Sequence, residues 1–332
     1  MTRITITGLC LFLLISPVMA DGSSSPASDE TDLPAWGEER ADRMHDQVAR
    51  WVTSTSRNLD GFISREYPDY DNTSYLRLRY TYDWEEAQTN EHDLGVRFRL
   101  DLPTTEERLR LIIESEPEEA RGTLADQGTG RVPDDQSSTS DTVLGLDRLS
   151  GRDKREQWNV RTGAGVRLRL PLDPYVRITG ERLWDIGQGP WQLGSDNRAS
   201  WFNNRGYSAR SRWDLGRPVD EQLHLRFVTT FQWQEEEDTL EFSESAELHQ
   251  ILSNRSAIRY SAVMIGNSLS DPRINDYYIQ AYYRRDIHRD RIFLDLIPEL
   301  HFPRRADYDP RWAFTLRLEL FFRGLIQRTY HP

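Results

Sequence analysis

Arginine recurs at every second position in several short runs of this 332-residue chain. Arg77 and Arg79, Arg97 and Arg99, Arg108 and Arg110, Arg167 and Arg169, and Arg210 and Arg212 form such pairs. A guanidinium is planar and permanently charged, and it presents its N–H groups as a fork. It therefore grips a carboxylate or phosphate through two parallel hydrogen bonds. Two of them two residues apart lie on one face of an extended strand. A row of such pairs is a ladder on which an oxyanion can be held and passed on.

The residues between the arginines of the first four pairs are apolar. Leu76, Leu78, Tyr80, Tyr82 and Trp84 alternate with Arg77, Arg79, Thr81 and Asp83. The same period of two returns at 94–102, 166–170 and 312–320. A period of two is a β-strand with one oily and one polar face. From position 74 onward the pattern predicts twelve strands, at 75–84, 93–102, 107–116, 156–170, 175–184, 206–215, 222–234, 239–250, 256–265, 275–285, 291–302 and 311–322. Tight turns are expected after the even-numbered strands. Longer connections, above all 117–155 and 185–205, are expected after the odd ones. Trp84, Trp158, Trp184, Trp233 and Trp312 then fall near one end of their strands and Trp213 near the other, as interfacial aromatic girdles do.

The flanking segments set the context. Arg3, the apolar run Leu9–Ile15 and the small residues around Val18-Met19-Ala20 read as a secretion signal over 1–20, with cleavage before Asp21. Residues 21–34 read as a polar linker, 35–60 as a periplasmic amphipathic helix with its helical run at 35–57, 74–322 as the barrel and 323–332 as a tail. The one cysteine, Cys10, lies inside the signal, so no disulfide or cysteine metal site is expected in the secreted chain. Net charge is −12, which argues against nucleic-acid binding. Hydrophobic content is 37% and mean hydropathy is −0.72. Those values exclude a helical membrane protein but suit a barrel, where only one residue in two meets lipid.

In this pattern the chain resembles Gram-negative outer-membrane β-barrels of about twelve strands: all-β, antiparallel and up-and-down, with a short N-terminal helix. The resemblance covers residues 74–322 and is one of pattern rather than motif. It implies outer-membrane lipid and lipopolysaccharide as surroundings, and the barrel-assembly machinery as a partner. Leu320-Phe321-Phe322 looks like the terminal assembly signal, although ten residues follow it. A periplasmic protein bound through 35–57 is a further candidate partner. No cofactor is expected.

Parity turns the arginines inward, and Arg161, Arg177 and Arg226 join them. The inward acids of the later strands are Glu241, Glu247, Asp295, Glu299 and Glu319. One basic and one acidic wall in a narrow wet lumen favour one sign of ion. The leading expectation is a channel for small anionic solutes. The same arginines can instead fill a closed barrel by pairing with Asp83, Asp101, Glu114, Glu116, Glu181 and Asp214. The barrel would then be an anchor for a periplasmic partner. A lipid-modifying enzyme would use His301 with Glu299 and Asp307, but no partnered serine stands at a recognisable spacing, so the chain is read as non-enzymatic. Asp134, Asp135 and Asp141 match no tight calcium loop. Two residues resist the parity: Arg182, unless Gly180 marks a bulge, and Glu244. The register of 275–285, with tyrosines on both faces, is left open.

Overall fold

The computed structural model describes residues 31–34, 36–38, 40–46, 74–86, 88–102, 109–114, 124, 142–150, 158–168, 171–271 and 273–323. The expected signal, most of the linker, the second half of the helical run and the segment after Arg323 lie outside them.

Fourteen antiparallel strands close into one barrel, each paired with its sequence neighbours and the last with the first. They are β1 (Tyr75–Glu85), β2 (Glu91–Leu102), β3 (Leu109–Glu114), β4 (Val143–Ser150), β5 (Asn159–Arg167), β6 (Asp173–Ile186), β7 (Trp191–Phe202), β8 (Gly206–Pro218), β9 (Leu223–Gln234), β10 (Thr239–Ser253), β11 (Ser256–Asn267), β12 (Ile274–His288), β13 (Ile292–His301) and β14 (Arg311–Arg323). Closure leaves no sheet edge, so every strand backbone is paired without help from water.

The polarity is inverted relative to a soluble sandwich. Leu94, Val176, Ile178, Phe227, Phe231, Tyr260, Ile279 and Trp312 are exposed on the outside. Thr81, Asp83, Asp93, Glu114, Asp147, Thr179 and Glu299 are buried on the inside. An apolar exterior this extensive is stable in a bilayer and would aggregate in water.

Two strands go beyond the twelve expected. β4 and β7 lie inside the connections read as loops 117–155 and 185–205. The even count is kept, so β1 begins and β14 ends at the same end of the barrel, here the terminal end. The pair between the insertions, β5 and β6, runs opposite to expectation. Pro171 and Leu172 therefore turn at the far end, and Trp158 and Trp184 sit at the terminal end. There Trp158 meets Trp184 edge-on at 5.8 Å and Trp184 stacks on Trp213 at 6.1 Å. Trp84, Trp233 and Trp312 keep their expected level at the far end. Girdles exist at both ends, with two tryptophans exchanged.

The remaining uncertainties of register resolve simply. β6 pairs without a bulge at Gly180, so Arg182 does point outward, its guanidinium 4.9 Å from the Trp184 ring centre. In β12, Tyr278 and Tyr282 face in, while Tyr277 and Tyr283 face out.

The described part of the N-terminal helix, α1 (36–46), is clamped to the terminal end. Thr31 bridges to His288, and Asp32 N–H donates to Ile287 O at 2.7 Å. Arg285 donates to both Asp32 carboxylate oxygens, at 2.7 and 3.0 Å, and Arg255 adds a third contact. The imidazole of His288, fully buried, lies 2.7 Å from Thr31 Oγ1 and 2.9 Å from Asp42 Oδ1. Arg289 donates to Asp42 and Glu38, both at 2.6 Å, and Arg291 donates to Asp42. His45 stacks on Phe322, an outward residue of β14, so the helix rests on the lipid-side rim. Glu38, Asp42 and His45 fall on one helical face, as a docked amphipathic helix requires.

Hydrogen bonding to Arg285 holds the Asp32 carboxyl below its ordinary value. For Asp42, burial pushes upward, but the bond to His288 and the charges of Arg289 and Arg291 prevail and lower it. Lowered carboxyl values mean that the clamp is complete at neutral pH and is lost as pH falls below the ordinary value of 3.8 through the folded values. Limited proteolysis should find α1 protected at pH 7 and increasingly cut as pH is lowered step by step below 3.8, with the barrel intact. Asp42→Ala should allow the cut already at pH 7.

The lumen as candidate functional site

Of the ten arginines singled out in the sequence, eight lie within described strands, and their parity turns all of them inward: Arg77, Arg79, Arg97, Arg99, Arg110, Arg167, Arg210 and Arg212. Arg108 and Arg169 lie outside the described residues. Arg161, Arg177 and Arg226 also face in.

These arginines do not share one environment. Arg167 is 1% exposed and stands 4.0 Å from the equally buried Asp173 at the far end, so it braces the wall. Arg77 and Arg79 are held by Glu319 at 3.7 Å and Asp93 at 3.8 Å. The others border a cavity of about 630 Å³ against the wall formed by β2–β9. Its inward lining carries nine arginines, at 97, 99, 110, 161, 177, 198, 210, 212 and 226, against five carboxylates, Glu114, Asp147, Glu181, Asp196 and Asp214. Arg198 is a member that sequence reasoning missed, because it sits on β7.

Several of the expected pairs form. Arg97 lies 3.5 Å from Glu114 and Arg226 donates to Asp214 at 2.6 Å. Arg161 donates to Glu181; Arg177, in a pair not expected from the sequence, grips both oxygens of Asp147 on β4 at 2.8 and 3.0 Å. Asp83 accepts from Thr315. Asp101 has a place in the β2–β3 register, but its side chain, like Glu116 altogether, lies outside the description. Even with these pairs the cavity keeps a positive excess. In register, Arg198 stands directly opposite Arg210, and Arg77 opposite Arg97. Like charges opposite one another cost stability unless anions lie between or beside them.

The opposite wall is filled. Glu241, Glu247, Asp295, Glu299 and Glu319 face in and are buried, and none borders the cavity. His301 lies 2.9 Å from both Asp276 and Glu299, with Tyr278 stacked on it at 4.5 Å. Both ring nitrogens are thus occupied by carboxylates, a bracing arrangement. Tyr282 donates to Asp295 at 2.7 Å and Arg284 to Glu319 at 2.6 Å. Leu124, from the connection between β3 and β4, enters the barrel here. Its N–H donates to Glu241 at 3.0 Å, and its side chain packs with Ile265 and Tyr278. Open space is therefore displaced toward the arginines. The segment carrying Asp134, Asp135 and Asp141 lies outside the described residues.

Small residues shape the basic wall. Gly145 and Gly165 face each other in register, and the Tyr175 ring lies across them, stacked on Phe202 at 5.1 Å. A Cβ at Gly165 would come within 2.2 Å of the Leu144 carbonyl oxygen, and one at Gly163 within 2.2 Å of Asp147 Oδ1. An aromatic ring covering a strand glycine recovers the packing that the glycine lacks.

A closed antiparallel barrel with a lipid-compatible exterior, aromatic girdles and a charged lumen defines a transmembrane β-barrel of the outer-membrane kind. Among solved structures, the chain is similar to OprB of Pseudomonas putida (9% identity, TM-score 0.46, covering 76% of this chain and 94% of that one). It is also similar to the channel DcaP of Acinetobacter baumannii (7%, 0.41, 76% and 96%), and to the KdgM porin (4%, 0.36, 74% and 98%). Likenesses this distant transfer neither solute nor mechanism. No family model matches the chain, and no curated protein matches it.

Gly165→Ala should destabilise the barrel by about 1–3 kcal/mol, because backbone rather than a side-chain tip must move. A lowered temperature for loss of the compact, heat-modifiable form on gels would show it, with Ala164→Ser as the tolerated neighbour.

Proposed function

We propose that the protein is an outer-membrane channel for passive diffusion of small solutes, with a preference for anions. The observation that carries this reading is the excess of arginine over carboxylate around the cavity of about 630 Å³ in the lumen. Guanidinium groups on adjacent strands offer successive forks to a carboxylate or phosphate, so a bound anion can leave one site for the next. Pairing of several arginines with acids supports the function too. It holds the side chains against the wall instead of letting them cross the lumen.

A second reading has its own observation. Leu124 and the braced acidic wall occupy part of the lumen, which favours a closed barrel serving as an anchor. α1, with Trp36 and Met44 exposed, would then present a surface to a periplasmic partner.

Single-channel current across a planar bilayer under a salt gradient separates the two. Conducting steps with an anion-selective reversal potential are expected. Replacing Arg99, Arg198, Arg210 and Arg212 together by Ala should shift the reversal potential toward or past zero while conductance persists. Arg167→Ala should act on stability and leave selectivity unchanged. A silent barrel would favour the anchor.

A further inference from the structure

Beside the outward Arg148, Thr162 and Arg182 of β4–β6, four adjacent strands carry polar side chains that hydrogen-bond to one another on the lipid-side face. In each, the polar residue lies mid-way along the outward run. Asn197 lies between Trp191 and Trp201, Ser211 between Tyr207 and Leu215, Thr229 between Phe227 and Phe231, and Glu244 between Leu240 and Leu248. Strand ends mark the bilayer interfaces, so these four residues lie near its mid-plane.

They form one patch. Asn197 and Ser211 are direct cross-strand neighbours, as are Thr229 and Glu244. Ser211 Oγ donates to Asn197 Oδ1 at 2.6 Å, and Asn197 Nδ2 donates to Ser195 Oγ at 2.7 Å. The Thr229 hydroxyl lies 2.9 Å from both oxygens of Glu244. That hydroxyl has a single hydrogen to give, whereas a carboxylate accepts about four bonds. An exposed Glu244 in hydrocarbon is expensive, and polar groups at this depth face protein rather than lipid.

We infer that the exterior of β7–β10 is the surface through which two copies of this chain associate, about a two-fold axis running between β8 and β9. A two-fold interface is self-complementary: whatever residue i meets on its partner, that residue's counterpart meets i. Here donor and acceptor sit on opposite sides of the axis and at one depth. The amide of Asn197 on β7 faces Glu244 on β10 of the second copy, and the reverse contact forms with it. Ser211 and Thr229 flank the axis. The carboxylate gains the N–H donors it lacks in the single barrel, and no other kind of partner is required to supply them.

Cysteine cross-linking in isolated membranes tests this directly, since Cys10 is the only cysteine in the sequence. In a Cys10→Ser background, Ser211→Cys is expected to oxidise to a disulfide-linked species of twice the chain mass, reversed by reductant. Val96→Cys, on the exterior of β2, should remain monomeric. Glu244→Leu in the Ser211→Cys chain should abolish the dimer while the barrel stays folded on gels. Absence of the Ser211→Cys dimer, a product of another mass, or a dimer that survives Glu244→Leu would overturn the proposal. None of these readouts depends on conduction.

Discussion

Backbone pairing without water is the constraint on which the structure rests. In hydrocarbon, an unpaired N–H or C=O costs several kcal/mol, so a sheet there has to close on itself. Closure converts the period of two into an inside and an outside along the strands, apart from register shifts near the ends of β10, β11 and β12. Every arginine that follows a leucine is thereby committed to the lumen. The charged interior is thus a direct product of the alternation, and a one-residue slip would turn an entire strand of arginines toward lipid. The register is held by that penalty more than by any individual ion pair.

Filling such an interior with charge is a packing problem as well as an electrostatic one. Buried ions are tolerated only when paired and hydrogen-bonded. On the side of β10–β14 this condition is met densely. Tyr282 on Asp295, Arg284 on Glu319 and His301 between Asp276 and Glu299 leave little room. On the side of β2–β9 the carboxylates that border the cavity are fewer than the arginines, five against nine. Space and positive potential coincide because the same shortage of carboxylates produces both. An anionic solute, the proposed cargo, would complement such a site.

The sequence made the barrel, its polarity and most of its lumen readable, because Leu-Arg and Val-Arg alternation is unambiguous. It concealed β4 and β7 for different reasons. In Val143-Leu144-Gly145-Leu146-Asp147 two of the inward positions are Val and Gly, so the inner face does not read as polar and the alternation is blurred. Its glycine is there to admit Tyr175, a tertiary reason invisible in one strand. In β7 the outward run carries Ser195 and Asn197, and the segment is rich in the Gly, Ser, Asp and Asn that ordinarily mark loops. Missing two strands kept the parity of the total and the shared end of the termini. It reversed only the pair between them, which is why just Trp158 and Trp184 changed level. The helix was legible as amphipathic, but its clamp was not. That clamp depends on His288, Arg289 and Arg291 in a tight turn nearly 250 residues away.

β7 therefore violates the alternation at the place where the violation is informative. Its inward face, with Asp196 and Arg198, obeys the rule for a wet lumen. Its outward face breaks the rule for lipid together with β8–β10, and within that stretch the polar groups are hydrogen-bonded to one another; Arg148, Thr162 and Arg182 are further outward polar residues on β4–β6. A hydrogen-bonded polar patch near mid-depth is what the proposed second protein surface would require, because only there is the solvent of the outer face not hydrocarbon. The residues that made this strand look like a loop are then the ones expected of a strand that faces water on one side and protein on the other.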